Sequence, residues 1–158
     1  LKQIRRKEML GLRRIDPGTA IEKSTWFHLG VNSCEDMLYS LRRICDPCEE
    51  HIDNSFVPLD KDRIKEFLPL RDTLLYLLKR AVVVISTENF TDSDRLREQC
   101  EEFKSCLSST RHGQIERMQT SKENITVSYV YLNLLQETHE IASSLQHLLR
   151  AAKHFANE

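Results

Sequence analysis

Apolar residues return every three or four positions along four long stretches of this chain, and that rhythm constrains the fold more than any other feature. From Phe27 through Val31, Cys34, Leu38, Leu41, Cys45 and Cys48 to Ile52 the spacing is 4-3-4-3-4-3-4, with Trp26, Met37 and Ile44 widening the stripe. Such a period places one side of an α-helix against a core. Asp16-Pro17 supplies its start, an acceptor at the N-cap and a proline at the first helical position. Pro47 falls inside the pattern and predicts a kink near Asp46. Asp53, Asn54 and Ser55 end the helix.

A second helix is expected from about Asp60, burying Ile64, Phe67, Leu68, Leu74, Leu75, Leu78, Val82 and Ile85. Pro69 leaves open whether it is one helix or a short one followed by a longer one. A third, with Thr91 as its cap, repeats Leu96, Cys100, Phe103 and Leu107 amid many charges, and should be the most exposed of the set. The fourth carries Val127, Val130, Leu134, Ile141, Leu145, Leu148 and Ala152 to the end of the chain. With only four Gly and four Pro in 158 residues, there is little material for long loops. The expected fold is all-α, an up-down bundle of about four long antiparallel helices over residues 16–158.

Charge is unevenly spread. Lys2, Arg5, Arg6, Lys7, Arg13 and Arg14 face the single acid Glu8 within residues 1–14, although the whole chain is net −1. The remainder is therefore acidic, which argues against nucleic acid as a partner. Residues 1–15 read as a basic lead-in helix of the kind that lies beside anionic lipid headgroups. No apolar run reaches the roughly 20 residues of a membrane span. The chain begins at Leu rather than Met and reads as part of something larger. Five cysteines, Cys34, Cys45, Cys48, Cys100 and Cys106, fall inside helical patterns, consistent with reduced thiols filling core positions in the cytoplasm.

Shifted by 104 residues, the first long helix overlays the last: Asn32 meets Gln136 and Asp36 meets Glu140. Each amide lies one helical turn before its carboxylate, on the same face. Two such pairs on facing helices would gather hard oxygen ligands suited to Mg²⁺, Ca²⁺, Mn²⁺ or iron, so a divalent metal is the cofactor to consider. His28 and His139 could add nitrogen. Catalysis finds no support. No Glu is followed three residues later by His, as a di-iron bundle requires, and the four glycines are too scattered to cradle a phosphate. Asn89-Phe-Thr and Asn124-Ile-Thr match the glycosylation sequon, which carries no meaning in a cytoplasmic chain.

Two stretches carry a family resemblance. Residues 26–44 (WFHLGVNSCEDMLYSLRRI), followed by HIDN at 51–54, resemble the soluble domain attached to bacterial inorganic phosphate transporters of the Pit type. Residues 131–145 (YLNLLQETHEIASSL) are similar to the last helix of PhoU proteins, whose Glu-x-x-x-Asp signature falls on Gln136 and Glu140, with Ala142 and Leu145 after it. Asn32 and Asp36 correspond to that element in the first half. The resemblance implies a PhoU-like helical bundle, a non-catalytic regulatory role in phosphate transport at the cytoplasmic face of the cell membrane, and a membrane-spanning transporter region, in the same chain, as partner. Metal binding by the acidic positions is implied too, but Asn32 and Gln136 stand where the family has carboxylates. A stand-alone helical interaction module is the alternative.

Overall fold

The computed structural model describes residues 3, 4, 6, 7, 11, 16–54, 57–120 and 124–157. Four helices account for nearly all of them: α1 (Pro17–Asp53), α2 (Lys61–Ser86), α3 (Ser93–Thr120) and α4 (Ile125–Asn157). Ahead of α1, Gln3, Ile4, Arg6, Lys7 and Gly11 also have helical backbone; Lys2, Arg5, Arg13 and Arg14 lie outside the described residues. The helices run up, down, up, down, as short connections between long helices predict.

Local chemistry fixes the ends. The Asp16 carboxylate accepts hydrogen bonds from the backbone N–H of Gly18 and Thr19. Asp60 accepts from Asp62 and Arg63 at 3.1 and 2.8 Å. Both are N-caps that satisfy donors with no partner inside the helix. Asn124 does the same for α4, accepting from Thr126 and Val127. In the preceding turn Asn89 accepts from the backbone N–H and the hydroxyl of Thr91. The two sequon-like triplets are thus local turn and cap chemistry here. Thr91 belongs to that turn rather than capping α3, which begins two residues later; Glu88, at φ 52°, completes the tight reversal.

α4 is the axis of the bundle. It packs against α1, α3 and α2, and α2 also meets α3, whereas α1 and α2 do not touch at the backbone level. Tyr131, Leu135, Ala142, Leu145 and Leu149 of α4 are essentially inaccessible, surrounded by Leu70, Leu77, Ala81 and Val84 of α2 and by Leu96, Cys100, Phe103 and Leu107 of α3. α3 therefore buries its whole apolar stripe, and the expectation that it would be the most exposed helix is wrong. The smallest buried share belongs to α1, which buries only Val31, Ser33, Ser40 and His51 among 37 residues.

The stripes expected on α1 and α2 divide between core and solvent, with Val31 of α1 buried and Met37 of α1 and Phe67, Leu74, Leu78 and Ile85 of α2 packed against the core. Leu38, Leu41 and Ile52 are 58%, 46% and 73% exposed, and Cys45 is exposed as well. On α2, Ile64, Leu68, Leu75 and Val82 are open to solvent while Arg63, Leu70, Leu77 and Val84 are buried at a strict seven-residue interval. The reason on α1 is its partner. α1 meets α4 through small residues, with Gly30 packed near Leu148 and Ala151, and Ser33 and Ser40 buried nearby. Close approach along that face leaves the outer part of the heptad stripe in solvent.

Neither proline interrupts its helix. Pro47 has no N–H to offer the carbonyl four residues earlier, that of Arg43. Asn133 of α4 supplies the missing donor, its side-chain amide reaching the Arg43 carbonyl oxygen at 2.7 Å. Asn133→Ala would leave that acceptor to solvent and lower stability by about 1 kcal/mol, read as a shift of the urea midpoint without a change in slope.

Candidate functional site: polar clusters on the central helix

α4 carries two polar clusters, one toward α1 and one toward α2 and α3. In the first, the Arg43 guanidinium of α1 pairs with Glu137 of α4 at 2.9 Å and also donates to the Ser40 hydroxyl. Glu137 is buried, and its second oxygen, Oε2, has no hydrogen-bond partner. The bond to Glu137 pushes the Arg43 pKa up against partial desolvation, and the charges of Glu137, Glu140 and Asp36 add to that shift. Two of the proposed metal ligands thus converge on a region already held by a cation from this chain.

The other candidates divide. Gln136 donates to Glu140 at 2.6 Å and accepts from Arg111 of α3 at 2.6 Å. His139 lies 3.8 Å from Glu140. His28 is exposed, one turn before Asn32. Asn32 and Asp36 line an open hollow of about 470 Å³ beside Trp26, His147 and Arg150. There Trp26 stacks on His154 at 4.2 Å, with the Arg150 guanidinium 5.8 Å from its ring. The amide-to-carboxylate pairs lie on packed helices, as the echo predicts. Yet among the described residues no three His, Cys, Asp or Glu side chains are grouped to hold a metal ion.

The second cluster is buried at its centre, with Glu66 and Arg117 at its partly open rim. Gln114 of α3 is fully inaccessible, and its Oε1 accepts from Arg63 of α2 at 3.2 Å and from Arg117 at 2.9 and 3.1 Å. Its amide donates to Ser128 of α4, which is also within reach of Arg63. Arg117 pairs with Glu66 at 2.9 Å, and Glu66 accepts the Tyr131 hydroxyl at 2.6 Å. Burial first, then this bond to a carboxylate, keeps the Tyr131 phenol protonated far above its ordinary range. Arg63 completes the network by pairing with Asp60, the α2 cap. Five side chains line a recess of about 260 Å³ here, Asp60, Asp62, Arg63, Glu66 and Arg117, and both arginines are paired there, Arg63 with Asp60 and Arg117 with Glu66.

The hydrogen bond from the Arg63 backbone, followed by the Arg63 charge, lowers the Asp60 pKa. A depressed carboxylate pKa stabilises the fold above the unfolded-state value of about 3.9 and loses that contribution as pH falls through the folded-state value. Acid unfolding should therefore be less steep in Asp60→Asn than in the native chain below about pH 4, with the variant less stable at neutral pH.

Three of the cysteines are held away from thiolate chemistry. All five are free. Burial raises the pKa of Cys34 and Cys48 and carries Cys100 to about 11, the opposite of what thiolate chemistry needs. Cys45 and Cys106, expected in the core, are exposed.

Arg43, Glu137, Arg63, Gln114 and Arg117 escaped the sequence reading, though a signal existed. Gln114 falls seven residues after Leu107 and Arg63 seven before Leu70, both in core register. Glu137 lies three after Leu134 and four before Ile141, in the apolar arc of α4. A polar residue at such a place needs a partner. No known family, curated protein or solved structure matches the chain.

Proposed function

We propose that the chain is a non-catalytic, PhoU-like regulatory domain of inorganic phosphate transport, acting at the cytoplasmic face of the membrane by binding rather than by chemistry. The observation that carries the binding role is the open side of the bundle. The backbones of α1 and α2 stay apart, and each helix leaves apolar side chains in solvent, Leu38, Leu41 and Ile52 on α1 and Ile64, Leu68, Leu75 and Val82 on α2. A patch of that extent marks an interaction surface. The polar clusters are engaged in internal pairing, a structural use that leaves binding to the outer faces. The phosphate assignment rests on the resemblance of residues 26–44 and 131–145, and the exposed Arg6 and Lys7 suit a membrane-proximal position. No helix among the described residues is long and apolar enough to cross a membrane, so transport itself would belong to the partner region.

A stand-alone helical adaptor would use the same apolar rows. The two readings separate by cross-linking in cells with a short amine-reactive reagent, followed by identification of what is joined to α1 or α2. A multi-spanning phosphate carrier, or spans in the chain's own extension, is the expected product. Cross-links to soluble proteins alone would overturn the transporter reading.

A further inference from the structure

Where α2 turns back into α3, the two helices enclose a small polar hollow of about 130 Å³. Tyr76, Arg80 and Val84 reach it from α2 at four-residue intervals, one turn apart on a single face. Asp92, Arg95, Leu96 and Gln99 reach it at helical spacing from the start of α3. Val84 and Leu96 are buried and close its base. The walls are two guanidinium groups, a phenol and an amide, set against a single carboxylate.

Pairing around this hollow is incomplete in a way the rest of the surface is not. Every other arginine of α2 and α3 is bonded to a side chain of this protein, whereas Arg95 has no partner among the described residues. The Tyr76 hydroxyl and the Gln99 amide have none either. Arg80 is held only by Asp92, at 3.6 Å, longer than a good N–H···O hydrogen bond. The nearby Asp94 is already matched, by Lys153 at 2.7 Å and by Arg97. Donors and positive charge therefore exceed acceptors at this one place, in a chain whose net charge is −1.

We propose that the α2–α3 hollow is an oxyanion site that takes a phosphoryl group. A guanidinium presents paired N–H donors that match two oxygens of a phosphoryl group. Arg80 and Arg95 approach from different helices, which suits a tetrahedral anion with three or four oxygens better than the single edge of a carboxylate. Tyr76 and Gln99 supply neutral donors for the remaining oxygens. The positive end of the α3 dipole lies on the same side. In the free protein Asp92 holds Arg80 loosely, and the arriving anion displaces it. The site stands on these residues and does not rest on the transport reading, so either can fail without the other.

Titration of the purified chain at pH 7 and constant ionic strength, followed by the ¹⁵N-edited NMR signals of the arginine Nε–H groups, tests the proposal. Inorganic phosphate should shift Arg80 and Arg95 saturably, while chloride and acetate should not. Arg95→Gln should weaken binding about tenfold or more without lowering the melting temperature, because Arg95 supports nothing inside the fold. Asp92→Asn should tighten it, since the competing carboxylate is gone. Arg71→Gln, whose native partner is Asp72, should leave it unchanged. Glycerol phosphate is titrated in parallel: tighter binding than inorganic phosphate marks a phosphate monoester as the ligand, and weaker binding marks the free anion. Shifts that never saturate, that acetate reproduces at equal concentration, or that persist unchanged in Arg95→Gln overturn the site.

Discussion

Truncating Leu135 to alanine lowers the stability of the fold by about 3 kcal/mol and its melting temperature by roughly 10 °C. Leu135 is 1% exposed at the middle of α4, within the core shared with α2 and α3. The loss combines the transfer free energy of the removed carbons with a cavity that neighbours on separate helices cannot jointly close. Leu38→Ser makes the contrast. With its side chain 58% exposed, that change should move the stability of the monomer by no more than about 0.5 kcal/mol. Thermal melts at low protein concentration separate the two. Equal losses would mean that α1 is buried in a way the α4-centred packing does not contain.

Gln114→Leu should cost about as much, for a different reason. The substitution fits the volume and would look conservative beside Leu107 in the heptad. It removes an oxygen on which the Arg63 and Arg117 guanidinium groups converge, and the donor to Ser128. Arg63 is almost wholly buried, so its lost acceptor is not replaced by water without opening the helix ends. A fall of about 3 kcal/mol in chemical denaturation is expected. Replacing Arg63, Gln114 and Arg117 together by apolar residues should recover much of it, because buried networks are costly to break and cheap to remove whole. A single variant as stable as the native chain would show that the network contributes nothing.

These contrasts mark what a sequence of this kind discloses. Helix identity was legible because heptad spacing, Asp16-Pro17 and Asp60 each act locally. Which part of the α1 and α2 stripes stays in solvent was not. Periodicity reports which arc of a helix is apolar, and Leu38, Leu41 and Ile52 do form such an arc, but it does not report which arc the neighbour covers. On α1 that was decided by Gly30, Ser33 and Ser40, whose small side chains admit α4 closely, and by Asn133 and Glu137, which anchor Arg43 from the other helix. The candidate site was legible to a similar depth. Pairing α1 with α4 brought Asp36 and Glu140 into the same electrostatic neighbourhood. What the reading of oxygen ligands overlooked is the cation between the helices. Arg43 is unremarkable in sequence, one of two adjacent arginines, and acquires its role only when Glu137 is placed opposite.

The same distinction bears on mechanism. Polar clusters paired across the helices tie the bundle together, while the apolar side chains left open on α1 and α2 are where another surface can act. The proposed regulatory role calls for a partner and a stable axis, and α4 supplies the axis.

The most direct measurement is the initial rate of radiolabelled phosphate uptake by cells in which residues 16–158 are deleted in frame, compared with cells carrying the intact gene, at matched membrane levels of the carrier and across low and high external phosphate. The account predicts a changed rate, or a changed dependence on external phosphate, restored when the domain is supplied back. Identical uptake curves in both strains, with the carrier equally abundant, would contradict it.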